Sequence, residues 1–335
     1  MKKFTYIALV LAVASLLGAC NFSGGDSFEE DAESLKSAMA IDGRAGTKNL
    51  PNIIVCDQTT RCAIMLDPAK DWKDPSAVVW KWDPSAANGM NAKYAGWFGN
   101  ISDCKPVLGG THALVAASFG GVALVRLSDS KVEFFANAEG NVHSAALLPD
   151  GNVVVASSTG NYLTLFDNSQ NTPGVPCAKG KRYFLDFSHG VVWDSARNVL
   201  WALARNELAE YEYNFDKSNP ELVKRNSYPL PPECLIGHDL YPVAGSDRLL
   251  FVTGHDGVAV FDAVSRTFQK VSDIRDVKSV SLSAAGGAII FLVPEEQWWS
   301  QSVVFGGKAM KKVGTLPNAR IYKARFFVPD TFGAF

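Results

Sequence analysis

A unit of about 44 residues recurs along this chain, and a period of that size restricts the fold more than any single motif does. The clearest copy begins at His143. His143 to Leu148 reads as a strand, Pro149-Asp150-Gly151-Asn152 as a turn and Val153 to Ser157 as a second strand. Proline presets φ in such a turn and glycine accepts positive φ. Ser158 to Asn161 is another turn, Tyr162 to Phe166 a third strand and Arg182 to Asp186 a fourth. Four antiparallel strands in chain order make one propeller blade.

The same order of strand, turn and strand returns from His189, His238, Lys278 and Lys105, which gives five complete units. A sixth is split. Ile53 to Cys56, Cys62 to Leu66 and Val78 to Trp82 supply three strands without an inner one, and Tyr322 to Phe327 is a strand with no unit of its own. Placing that last strand inside the first blade closes the ring and removes exposed sheet edges. Lys105, His143, His189, His238, Lys278 and Lys323 then stand 38, 46, 49, 40 and 45 residues apart. The expected fold is an all-β, six-bladed propeller of four antiparallel strands per blade. A seventh blade has only Gly174 to Gly180 to occupy, which is too short.

The N-terminus carries an address. Lys2 and Lys3 precede an apolar run from Phe4 to Ala19, too short for a comfortable membrane span and suited to a signal-peptide core. The run ends Leu17-Gly18-Ala19-Cys20, which resembles a bacterial lipobox; the resemblance implies cleavage before Cys20 and acylation of that cysteine. Residues 1–19 are therefore expected as a lipoprotein signal peptide, 20–49 as a flexible lipid-anchored tether and 50–335 as the propeller. The expected place is the cell envelope. Asn21 is compatible with outer-membrane delivery, to the periplasmic or the surface face. Cleavage leaves 30 basic against 34 acidic residues. That balance offers no basic stripe for nucleic acid. Hydrophobic residues at 47% supply a packed core. Of the remaining cysteines, Cys56 and Cys62 flank a hairpin turn and can face each other as a disulfide; the alternative is buried free thiols. A C-x5-C spacing with no second pair is a poor zinc signature.

In a propeller the first strand of each blade lines the central channel, so the six repeat positions converge at one mouth. Here they are three lysines and three histidines: Lys105, His143, His189, His238, Lys278 and Lys323. Two chemistries follow. Together they form an electropositive collar for an anion, with lysine as point charge and histidine as tunable donor. Alternatively His143, His189 and His238 coordinate a divalent metal ion and leave a position open for substrate. The turns between second and third strands surround the same mouth. They carry Gln58, Phe119, Arg205, Asp256 and Trp298 among other polar and aromatic groups, a mixture that suits a polar ligand pocket. Trp298-Trp299 can stack on a sugar ring, whereas Trp80, Trp82, Trp193 and Trp201 lie within strands and suit packing between blades. No P-loop and no G-x-S-x-G elbow is present.

Cys56-Asp57-Gln58, His143-Ser144, Pro149-Asp150-Gly151-Asn152, His189-Gly190-Val191-Val192-Trp193-Asp194, Gly237-His238-Asp239-Leu240 and Val277-Lys278-Ser279 together resemble an uncharacterised family of bacterial secreted or lipid-anchored six-bladed propellers. The resemblance spans most of residues 50 to 330 and implies a fold without a reaction. More loosely, the inner-strand histidines are similar to those of propeller polysaccharide lyases, usually seven-bladed, in which channel histidines hold a metal. The first expectation is a small polar ligand, anionic and uronate- or carbohydrate-like, at the mouth. A metal-assisted lyase or hydrolase acting on acidic glycans is the alternative, and a protein-interaction scaffold the second. Expected partners are a small-molecule or glycan ligand and, through the N-terminal lipid alone, the membrane. A monomer is expected, and no cofactor is required beyond a possible divalent ion.

Overall fold

Uniformly apolar strands separated by turns require a sheet buried on both faces, and a ring of blades provides that burial. The computed structural model describes residues 27–40, 47–283, 287–307, 309–329 and 332–333. Cys20 and the signal peptide lie outside the described residues. Six four-stranded antiparallel sheets follow one another. The inner strands are Ile101–Val107, Val142–Leu147, Gly190–Asp194, Asp239–Pro242 and Ser279–Leu282 for blades 2 to 6. Blade 1 is Ile53–Asp57, Cys62–Leu66 and Val78–Trp82, completed on its inner side by Ile321–Phe326 from the far end of the chain. The expected six blades and the expected closure are both present.

Six apolar clusters fill the six gaps between neighbouring blades. This explains the sequence pattern. In strands such as Val153–Ser157 and Leu249–Thr253 every residue is buried, because each face packs on a neighbour. Trp82 joins the cluster between blades 1 and 2, Trp193 that between blades 3 and 4, and Trp201 that between blades 4 and 5, as their strand positions suggested.

The hairpin of blade 1 excludes the disulfide. Its register pairs Asp57 with Cys62 and Cys56 with Ala63, so the two cysteines are one position out of step. Successive side chains alternate faces. Cys56 therefore enters the cluster shared with blade 2, and Cys62 the cluster shared with blade 6. Cys56, Cys62, Cys104, Cys177 and Cys234 are all free.

Part of the expected tether is ordered. Phe28–Ala40 is an α-helix. A reciprocal capping box starts it: Ser27 N donates to Glu30 Oε2 at 3.0 Å, and Glu30 N donates to Ser27 Oγ at 3.3 Å. Ala32, Leu35, Ala38 and Met39 then pack against Val258, Val260 and Val271 of blade 5. A helix of 13 residues is marginal in isolation, so this apolar stripe holds it. The term flexible does not apply to residues 28–40. No helix among the described residues is long and apolar enough to cross a membrane.

Candidate functional site

Which residues meet at the mouth follows from register. The first regular pairs after the mouth join Asp103 to Ala116, Ser144 to Ala156, Gly190 to Leu203, Asp239 to Thr253 and Ser279 to Leu292. The residue before each is Ser102, His143, His189, His238 or Lys278. In blade 1, Tyr322 and Lys323 together oppose Cys56 across an irregularity, which puts Tyr322 in the sixth place. The mouth ring is therefore Tyr322, Ser102, His143, His189, His238 and Lys278. Four of the six expected residues belong to it. Lys105 lies three residues further down its strand and Lys323 one, because irregularities at Ser102 and at Tyr322–Lys323 shift the count.

The ring is in continuous contact over five blades. Tyr322 Oη lies 3.0 Å from His143 Nδ1. The His143 and His189 rings stack with centroids 4.3 Å apart, and His189 meets His238 edge-on at 5.8 Å. His238 Nε2 lies 3.0 Å from Lys278 Nζ. Ser102 Oγ instead turns away to donate to Val142 O at 2.7 Å.

Burial sets the charge states. It drives the His189 pKa down to about 3 and that of His238 to about 2, with nearby lysines adding to the effect. His143 is held well below the ordinary imidazole value by burial and by its histidine and lysine neighbours. Burial likewise lowers Lys278 and raises Tyr322. The ring is thus neutral apart from Lys278.

Beneath it lies an ion network. Arg325 donates to Asp239 through Nη1 at 3.0 Å and Nη2 at 2.8 Å, and through Nε to Asp103 at 3.0 Å. Its guanidinium carbon sits 3.9 Å from the Tyr241 ring centroid. Lys323 donates to Asp239 Oδ1 at 2.8 Å; Lys105 donates to Ser144 Oγ at 2.8 Å and Val191 O at 2.7 Å. Desolvation alone raises a carboxyl pKa, but Arg325 and Lys323 outweigh it and hold Asp103 and Asp239 ionised. Burial, which outweighs Asp103, lowers Lys105 to about 8. Lys105 and Lys323 therefore serve this network instead of the mouth. At the opposite end, Ser195 donates to Phe332 O from its backbone N at 2.8 Å and from Oγ at 2.6 Å, so the C-terminal segment fastens to blade 4 there.

On the mouth side a cavity of about 340 Å³ opens above His143 and Tyr322. Gln58, Ser118, Asn100 and Asn141 supply amide and hydroxyl groups, and Phe119 and Trp298 supply aromatic walls. These two rings are 63% and 43% exposed and face the cavity. Trp298 Nε1 donates to Gln58 Oε1 at 2.9 Å, which joins two expected site residues across blades 6 and 1. Phe119 lies so close over Gly99 that a Cβ there would come within 2.4 Å of its ring.

Two other expected residues sit on the same face outside this cavity, and both are engaged. Arg205 pairs with Asp186 at 2.8 Å and stacks on Phe187, while Asp256 pairs with Arg275 at 2.6 Å. Asn100, Asn141 and Tyr322 were not foreseen. The signal for the two asparagines was the matching triplets Asn100-Ile101-Ser102 and Asn141-Val142-His143, each opened by an asparagine at positive φ.

The three histidines do not make a metal set. Two are stacked, so their in-plane lone pairs run side by side; the third accepts from an ammonium group. No group of three or more histidine, cysteine, aspartate or glutamate side chains among the described residues is placed to hold a metal ion.

No curated protein matches the chain in sequence. Among solved structures it is similar to a protein of unknown function from Bacteroides caccae, at 12% identity and a TM-score of 0.50, over 83% of this chain and 98% of that one. It also aligns with hydrazine synthase of Kuenenia stuttgartiensis at 12% identity and a TM-score of 0.43 over 62% of this chain; it spans 64% of that chain's length. The model of the family of unknown function DUF6528 matches residues 7–334, and the chain belongs to that family.

Proposed function

We propose that this propeller is a lipid-anchored, extracytoplasmic binding module that takes a small carbohydrate-like ligand bearing an acid group at the ring mouth. The cavity carries the reading: two exposed aromatic rings beside amide and hydroxyl groups are suited to one polar ring with an apolar face. Below it the channel holds four formal cations, Lys105, Lys278, Lys323 and Arg325, against two carboxylates, Asp103 and Asp239. That excess favours an anion at the open end. Lys2, Lys3 and Leu17-Gly18-Ala19-Cys20 support the anchored, extracytoplasmic placement.

Binding is favoured over turnover. A general base works best with a pKa near the working pH. His189 and His238 are held at about 3 and about 2, and Tyr322 is raised. No observation of the geometry favours the metal-assisted lyase or hydrolase. The test is thermal unfolding of the full chain against uronates, sulfated sugars and phosphates. A ligand that binds only the folded state raises the melting temperature. A rise with a uronate that Trp298→Ala removes supports the reading; no rise with any acidic sugar refutes it.

A further inference from the structure

Repeat positions that match in backbone but differ in bonding go further. Blades 2 and 3 open on the same register, with Ile101 opposite Ala117 and Val142 opposite Ser157. Asn100 therefore matches Asn141, and Ser118 matches Ser158. Their backbones agree. Ser118 N donates to Asn100 O at 2.8 Å and Ser158 N to Asn141 O at 2.9 Å, and the two asparagines stand at φ 54° and 63°. In blade 3 the side chains close on each other. Asn141 Nδ2 donates to Ser158 Oγ at 3.0 Å, and that buried hydroxyl donates to Asn141 O at 3.1 Å. In blade 2 they stay open. Neither the Asn100 carboxamide nor the Ser118 hydroxyl has a hydrogen-bond partner among the described residues, and both residues line the cavity. The following position differs too: Thr159 Oγ1 donates to Gly140 O at 3.2 Å, whereas Phe119 lays its ring over Gly99. Gln58 holds the matching place in blade 1, where its N donates to Arg320 O at 2.9 Å. Its Oε1 accepts from Trp298, which leaves the Nε2 hydrogens free.

We propose that Asn100 and Ser118 are the hydroxyl-reading subsite of the cavity, taking two adjacent hydroxyls of a sugar ring that packs against Phe119 and Trp298, with Gln58 Nε2 as a further donor. This rests on the reading of the cavity as a sugar-like site and adds which part of the sugar it recognises, a vicinal diol. The chemistry of the lining selects that group. A carboxamide and a hydroxyl both donate and accept, as a sugar hydroxyl does, whereas a carboxylate only accepts and leaves Asn100 Oδ1 without a donor. No lysine, arginine, aspartate or glutamate lines the cavity. The backbone bond from Ser118 to Asn100 keeps the two groups on neighbouring places, and the bonded pair of blade 3 shows how close this register brings them. A site that hydrogen-bonds a ligand hydroxyl rejects the analogue that lacks it, because its own polar groups are then left unpaired.

The experiment is an NMR titration of the full chain carrying 15N-labelled tryptophan, with the Trp298 indole N–H as reporter. The probes are D-glucuronate and tetrahydropyran-2-carboxylate, which keeps the ring and the acid and lacks the hydroxyls. Saturable movement of Trp298 with glucuronate is expected, and the hydroxyl-free ring should bind at least about tenfold more weakly. Asn100→Gly removes the carboxamide and tolerates the positive φ of that position. Asn100→Gly and Ser118→Ala, each checked for fold by circular dichroism, should weaken glucuronate roughly tenfold while the affinity for the hydroxyl-free ring stays as it is. Movement of Trp298 with equal affinity for the two probes overturns the subsite and leaves the cavity reading intact. Unchanged glucuronate affinity in either folded variant, or an equal loss of both probes, does the same. If neither probe moves Trp298, both readings fall.

Discussion

Arg325→Met tests how the ring is held shut. The guanidinium makes three hydrogen bonds, two to Asp239 and one to Asp103, at 2.8 to 3.0 Å and in full burial. It sits on the last strand of the chain, whereas its partners sit on blades 5 and 2. It therefore ties the closing strand to the neighbouring blade 2 and, across the channel, to blade 5. Removing one member of a buried pair costs about 3–5 kcal/mol, because the partner keeps its desolvation penalty. Two carboxylates lose a partner here, and the stacking on Tyr241 is lost with them, so the upper end of that range applies. A domain's whole stability is about 5–15 kcal/mol. Guanidinium unfolding followed by tryptophan fluorescence reads the change as a lower midpoint at unchanged slope. Asp239→Asn should cost a similar amount. The double variant should cost less than the sum by about 1–3 kcal/mol, since the two residues share one network. Arg225→Met, which breaks an exposed pair with Glu212, should cost at most about 1 kcal/mol. A loss below about 1 kcal/mol for Arg325→Met, or strict additivity in the double variant, refutes the reasoning.

Three further outcomes are expected. Unfolded histidine titrates near 6.5, whereas His189 and His238 titrate at about 3 and about 2 in the fold and His143 is also lowered. Below about pH 6.5 the unfolded chain therefore binds protons that the fold does not. Stability should rise with pH across roughly 4 to 6.5, by about 1.4 kcal/mol per pH unit for each such histidine, and His189→Gln should flatten that slope; a flat wild-type profile between pH 7 and 4.5 contradicts it. Gly99→Ala should displace Phe119 and abolish the thermal shift produced by a uronate, with circular dichroism unchanged; a retained shift removes Phe119 from the site. Cys20→Ser should release the protein from the membrane fraction and abolish incorporation of labelled fatty acid; continued labelling would place the anchor elsewhere.

Architecture was legible because the ring repeats. Each blade is buried on both faces, so its strands read as continuous apolar runs, and Tyr322 to Phe327 had no other place to go. The site was legible only in part. His143, His189, His238 and Lys278 were found by counting between repeats. Counting fails where a strand carries an extra residue, and this misplaced Lys105 and Lys323. The matched triplets beginning at Asn100 and Asn141 hold the correct register, but a left-handed asparagine leaves no mark in an apolar period. Cys56 and Cys62 show the same limit, since spacing across a hairpin does not say which face each side chain takes. The docked helix was hidden because small residues form part of its buried stripe, with Ala32 and Ala38 beside Leu35 and Met39. Its capping box at Ser27 and Glu30 was the available signal.

The mouth as a binding site is tested most directly by a crystal of the full chain soaked with D-galacturonate. Ordered density between Phe119 and Trp298, over His143 and Tyr322, is the expected result. A mouth that stays empty at saturating sugar, or density confined to another face of the propeller, contradicts it.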